Sequence, residues 1–187
     1  MGDFNVALAL DESSVSGSKI TLAMQVFMDC VEELRMDDLN QTGLRFTWNQ
    51  KPQTSDGILR KIDRIMVNDD FLGDLVNAYA YFHPYRMSDH SPGILKIPSF
   101  VTKRAKMFRF SNFIVYREGF DDLDKGNLHS RVLKLRNELD EVQKALDINP
   151  SSMVLREYEG CLLRAYTDAV LEEERYLKQK GTYKLDP

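Results

Sequence analysis

Apolar positions recur along this chain at helical spacing, then at shorter strand-like intervals, then at helical spacing again. Ile20, Met24, Phe27, Val31 and Leu34 step by four and three residues, which places them on one stripe of a helix. Ser16-Gly17-Ser18 stands where such a helix needs its cap. Thr42-Gly43 reads as a turn, and residues 44–48 alternate as a strand. Residues 58–67 read as one strand with Ile62 and Ile65 near its centre. Asn68-Asp69-Asp70 caps a short helix over residues 71–75. Residues 78–83 and 93–97 read as further strands, with a loop between them.

After residue 98 the pattern changes. A basic stretch at 103–106 leads into Phe108-Arg109-Phe110-Ser111-Asn112-Phe113. Beyond Gly126, Val132, Leu135, Leu139, Val142 and Leu146 form a heptad-like seam. Asn149-Pro150 breaks it, and Ser151 or Ser152 caps a second helix running to about Lys180. Its stripe takes in Leu155, Tyr158, Leu162, Ala165, Ala169 and Leu177. The expected class is α+β: an α/β-rich unit at 1–98, a linker with the aromatic run at 99–130, and an α-helical hairpin at 131–187.

Composition narrows the function classes. At 43% hydrophobic, the 187-residue chain has enough apolar content for a core, which argues against wholesale disorder. Residues 1–98 hold nine basic and 14 acidic side chains, a net of −5; residues 99–187 hold 16 and 15, a net of +1. A net charge of −4 argues against nucleic-acid binding over the whole surface and leaves room for a local basic patch. The acidic front half suits carboxylates gathered round a divalent cation, and equally an ordinary solvated surface. Cys30 and Cys161 are too isolated for a disulfide framework or zinc site, and read as buried or half-buried thiols in a reducing compartment, nucleus or cytoplasm. No run is apolar enough for a membrane span, and no signal-peptide pattern marks the chain for secretion. Met1-Gly2 lacks the Ser or Thr that myristoylation wants, having Val6 there.

Three short motifs carry chemistry. Asp3 and Asn5, two residues apart, fall on one face of an extended segment, where a carboxylate can take a proton from water and an amide can donate to a phosphate. Such a run is also common in plain turns. Asp63 interrupts an apolar strand pattern, and an acid there needs a partner or solvent. Asp89-His90 stands in a polar loop just before a strand; an imidazole there can work as acid, base or phosphate donor if a carboxylate such as Asp63 orients it. His83 and His129 read as structural or surface residues.

Taken in order, Gly2-Asp3-Phe4-Asn5, Phe46-Thr47-Trp48, Lys61-Ile62-Asp63-Arg64-Ile65 and Ser88-Asp89-His90-Ser91-Pro92 resemble the C-terminal part of the endonuclease/exonuclease/phosphatase superfamily. With the aromatic run and Glu172-Glu173-Glu174-Arg175-Tyr176-Leu177-Lys178-Gln179-Lys180, the chain resembles plant LINE-type retrotransposon polyproteins, in which an endonuclease precedes a helical connector and a reverse transcriptase. The resemblance implies a partial two-sheet, DNase I-like β-sandwich with flanking helices, a Mg²⁺ cofactor and DNA as ancestral partner. It implies that Asp3 positions the attacking water, Asn5 contacts the scissile phosphate, Asp63 holds His90, His90 stabilises the transition state, and Asp89 lies by the metal. Thr47, Arg64, Lys103 and Arg104 are the candidates for nucleic-acid contact. The basic cluster around residues 103–109 reads more simply as a solvated linker, and Trp48 as a core residue.

In that superfamily an Asn, a metal-binding Glu and an aromatic or His site residue precede the Gly-Asp-x-Asn motif. The expectation is therefore a truncated copy, inactive alone, whose exposed sheet edges or hairpin invite self-association or another chain. Two rival functions accompany it: a phosphatase of small phosphorylated molecules, and a non-catalytic module whose coiled-coil-like hairpin binds a partner.

Overall fold

A computed structural model describes residues 1–15, 19–50, 57–98 and 122–182. The protein is mixed α+β, with small sheets in its first part and a pair of long helices at its C-terminal end. The basic stretch with Lys103 and Arg104, the aromatic run and the Ser16-Gly17-Ser18 cap lie outside the described residues.

Helix α1 (Leu22–Glu33) is capped by Thr21, whose hydroxyl accepts from the Met24 N–H at 3.2 Å. Only the middle of its expected stripe packs inward: Met24 is buried, Phe27 and Val31 are half-buried, and Ile20 and Leu34 are exposed. The short helix α2 (Asp69–Asp74) has its expected cap, with Asn68 Oδ1 accepting from the Phe71 N–H at 3.1 Å.

The run at 58–67 is three short strands: β5 (Leu59–Arg60), β6 (Asp63–Arg64) and β7 (Met66–Asn68). Each pairs with a different antiparallel partner. β5 meets β4 (Trp48–Asn49), β6 meets β1 (Gly2–Asp3), and β7 meets β2 (Met36–Asp38). Between them the ladder is diverted: Lys61 N–H donates to the Glu12 carbonyl, Ile62 N–H to the Thr47 hydroxyl, and the Ile65 carbonyl accepts from Leu39. The remaining sheet has β3 (Gln41–Gly43) parallel to β8 (Tyr79–Phe82), with β9 (Gly93–Lys96) antiparallel on the other side. At Gly43, φ is +85° and an added Cβ would lie 2.1 Å from the Phe82 carbonyl oxygen, so only glycine lets β3 approach β8 here. Leu39, Leu44, Ile65, Val67, Ala80, Phe82 and their neighbours close the core of this part.

Helices α3 (Asp122–Ile148) and α4 (Met153–Thr182) form the hairpin. The first begins earlier than expected, taking nine residues assigned above to the linker into a helix. Val132, Leu139, Val142 and Leu146 pack against Leu162, Tyr166 and Ala169, and Ser152 Oγ accepts from the Leu155 N–H at 3.3 Å. Tyr158 and Leu177, placed on the α4 stripe by spacing, are exposed instead. Cys30 and Cys161 are also exposed, because each falls on the solvent side of its helix. No helix among the described residues is long and apolar enough to cross a membrane.

The hairpin is seated on the first part. Asp147 accepts from the backbone N–H groups of Arg45 and Phe46 at 2.7 and 2.8 Å. Asp140 makes a two-pronged pair with the Arg86 guanidinium at 2.7 and 2.8 Å, and Gln143 bonds the Arg86 backbone. Asp140, Gln143 and Asp147 step by three and four, so they form a polar stripe on α3 beside its apolar seam. Burial pushes the Asp147 carboxyl above its usual range, against the pull of those two N–H donors and the Arg45 charge.

Candidate functional site

The pairing of β1 with β6 sets Asp3 opposite Asp63, and the Phe4 N–H donates to the Ile62 carbonyl at 3.0 Å. The Phe4 ring stacks on Phe27 of α1 with centroids 4.9 Å apart, which ties the segment carrying Asp3 and Asn5 to that helix. Asn5 adopts φ +57°, a left-handed conformation that Asn tolerates, and its N–H donates to Asp3 Oδ1 at 2.8 Å. Both Asp3 and Asn5 are exposed.

His90 reaches the same place from the loop before β9. Its backbone bridges to Trp48, the Ser91 N–H donates to the Thr47 carbonyl at 2.7 Å, and the Asn49 N–H donates to the Asp89 carbonyl at 2.8 Å. His90 Nδ1 lies 3.0 and 3.2 Å from the two Asp63 carboxylate oxygens. Asp3, Asp63 and His90 each offer a ligand atom within 4.8 Å of the others. Burial pushes the His90 pKa down, but the Asp63 hydrogen bond and charge, with the charges of Asp3 and Asp89, outweigh it and leave the imidazole above its ordinary value. With Nδ1 given to Asp63, Nε2 is the nitrogen available to a substrate.

Thr47 is the hub beneath this site. It is 0% exposed, and its hydroxyl accepts from two consecutive backbone donors, Ile62 N–H at 3.0 Å and Asp63 N–H at 2.8 Å. Its own backbone meets Arg60 on one side and Ser91 on the other. One buried side chain therefore locks the Asp63 strand to the segment beside His90.

The sequence-derived residues divide accordingly. Asp3, Asp63 and His90 come together, with Asn5 at the rim. Asp89, expected at the metal, is outside that three-residue cluster: its side chain is exposed and it acts on His90 through charge. Thr47 and Arg64, expected to touch nucleic acid, are instead buried. The Arg64 guanidinium is fully enclosed and paired with Glu12 and Asp38, and Lys61 joins the same group at 2.7 Å from Asp38. Those two carboxylates balance the two cations, which is how a buried charge is sustained. Arg60, by contrast, is exposed and lies over the Trp48 ring at 5.9 Å. Glu12 and Asp38 had no motif to announce them, and the α3 stripe of Asp140, Gln143 and Asp147 was visible only as polar positions at helical spacing.

No family model, curated protein or solved structure matches this chain.

Proposed function

We propose that residues 1–98 carry the water-activating and phosphate-facing side of a metal-dependent phosphodiesterase site, of the kind found in retrotransposon DNA endonucleases. The observation that supports this reading best is the 3.0 Å contact of His90 Nδ1 with Asp63, with Asp3 in register opposite Asp63. Asp63 orients His90 and, with Asp3 and Asp89, favours its charged form against the opposing effect of burial, so the imidazole can stabilise charge that builds on a phosphate oxygen. Asp3 holds one carboxylate oxygen on the Asn5 N–H and has the other for a water. The Asn5 amide, exposed at the rim, donates to the phosphate.

The donor set partly fits Mg²⁺. Carboxylate oxygens of Asp3 and Asp63 are the hard ligands it prefers, while the imidazole is not, and Asp63 is already engaged by His90. When bound, the ion would neutralise phosphate charge and lower the pKa of a water. Asp3 is the residue with most freedom to hold it. On the same reading the small sheets belong to a DNase I-like sandwich.

With so few oxygen ligands among the described residues, the site binds the ion weakly and cleaves poorly. Purified protein with Mg²⁺ leaves supercoiled plasmid largely intact, and whatever nicking it gives is lost in His90→Ala. Efficient His90-dependent nicking would show the site to be complete. Residual nicking indifferent to His90→Ala would remove His90 from its role.

A further inference from the structure

The loop that presents His90 is gripped from the hairpin. Between β8 and His90 the chain passes through Tyr85, Arg86 and Ser88. Arg86 sits at φ +48°, in the left-handed region that a bulky L-residue adopts only when its surroundings hold it there. Gln143 of α3 bonds both main-chain groups of this one residue. Its Oε1 accepts from the Arg86 N–H at 2.8 Å, and its Nε2 donates to the Arg86 carbonyl at 3.2 Å.

A primary amide is suited to this, because it offers a donor and an acceptor side by side, as a neighbouring strand would. Gln143 is 0% exposed, and its Nε2 also donates to Glu159 Oε1 on α4 at 3.0 Å. One turn before it, Asp140 fixes the Arg86 side chain. Tyr85, next to Arg86, is buried beside Glu159; burial and that carboxylate push its hydroxyl pKa far up, so the phenol keeps its proton. On the far side of Arg86 the Ser88 N–H donates to the Tyr85 carbonyl at 2.9 Å, and the His90 N–H donates to Ser88 Oγ at 3.1 Å. Two sets of hydrogen bonds, Glu159–Gln143–Arg86 and Tyr85–Ser88–His90, are joined by the peptide bond between Tyr85 and Arg86.

We propose that Gln143 is a positioning residue: through it α3 fixes the left-handed Arg86 and so sets the turn that presents His90 to Asp63. The apolar seam of α3 accounts for most of its packing on α4, where Gln143 adds one bond to Glu159; its two bonds to the Arg86 main chain serve the loop instead. The hairpin is thus part of the scaffold of the His90 loop, and a force that lifts α3 away loosens that loop. That loosening matters for cleavage only on the phosphodiesterase reading above; the coupling itself stands on the geometry.

Amide hydrogen exchange on the full chain tests it. The reporters are the Ser91 and Asn49 N–H groups, which bond to Thr47 and Asp89 and hold the loop in place. The Leu39 N–H, bonded to Ile65 in the front core, is the control. Gln143→Leu keeps the volume and removes both bonds to Arg86 along with the one to Glu159, so Ser91 and Asn49 exchange at least about tenfold faster while Leu39 keeps its wild-type rate. Asp140→Asn, at a less buried position, accelerates the same two amides by a smaller factor and serves if Gln143→Leu does not fold. Unchanged Ser91 and Asn49 rates in a folded variant overturn the proposal, as does equal acceleration of all three amides, which marks general destabilisation. Residual cleavage indifferent to His90→Ala would defeat the phosphodiesterase reading and leave these exchange rates as predicted.

Discussion

Replacing Thr47 with Val tests whether this residue belongs to the scaffold or to a nucleic-acid surface. Val has nearly the shape of Thr and lacks the hydroxyl. In the folded protein that hydroxyl accepts from Ile62 N–H and Asp63 N–H, with Thr47 entirely out of solvent. Thr47→Val leaves both donors without a partner, and a buried donor stranded in this way costs about 1–3 kcal/mol. Two of them put the loss at about 2–6 kcal/mol. Thr47→Ser retains the acceptor and gives up a buried methyl, about 1 kcal/mol. Urea denaturation followed by far-ultraviolet circular dichroism measures both, and an unchanged slope with denaturant confirms that the same surface unfolds. Val must be clearly worse than Ser. If Ser is as damaging as Val, or Val is neutral, the two hydrogen bonds do not hold the Asp63 strand. A variant that weakens DNA binding at full stability would return Thr47 to the surface role first expected of it.

Gly43→Ala forces a side chain into left-handed backbone and against the Phe82 carbonyl, so it destabilises by more than about 2 kcal/mol in thermal or chemical melts; a neutral result would mean β3 does not run so close to β8. The His90 imidazole titrates above its ordinary 6.5, since Asp63, Asp3 and Asp89 outweigh the opposing effect of burial. Because folding raises this pKa, the stability it confers is fully present below the unfolded value and is lost as pH rises through the folded one. Asp63→Asn lowers the His90 pKa and flattens that pH dependence, read from its ring resonances by NMR; an unmoved titration would mean Asp63 is not its partner.

The helices were legible because their signals are local. The seam from Val132 to Leu146 and the Asn68 cap each depend on a few neighbours in sequence, and both stand as expected. The division of residues 58–67 was not legible, because it is imposed by partners far away in the chain. Asp63 and His90 meet as their motifs implied, but Arg64 shows the limit of such reading. An arginine beside an aspartate that partners a histidine invites a phosphate contact, and only the fold brings Glu12 and Asp38 to enclose it. Thr47 misled for a related reason, since a threonine in a strand pattern gives no sign of where its hydroxyl points. The α3 stripe was written in the sequence at clear spacing, but polar positions beside a seam read as solvated until a docking surface is known.

On the proposed function, Asp3, Asp63 and His90 form one cation-binding, phosphate-facing site. Titration of Mn²⁺ into isotopically labelled protein, followed by paramagnetic broadening of amide signals, tests it most directly. Weak binding is expected, with broadening centred on Asp3, Asp63 and His90 and lost in Asp3→Asn. Broadening centred on another acidic cluster, or the same pattern persisting in Asp3→Asn, would contradict it.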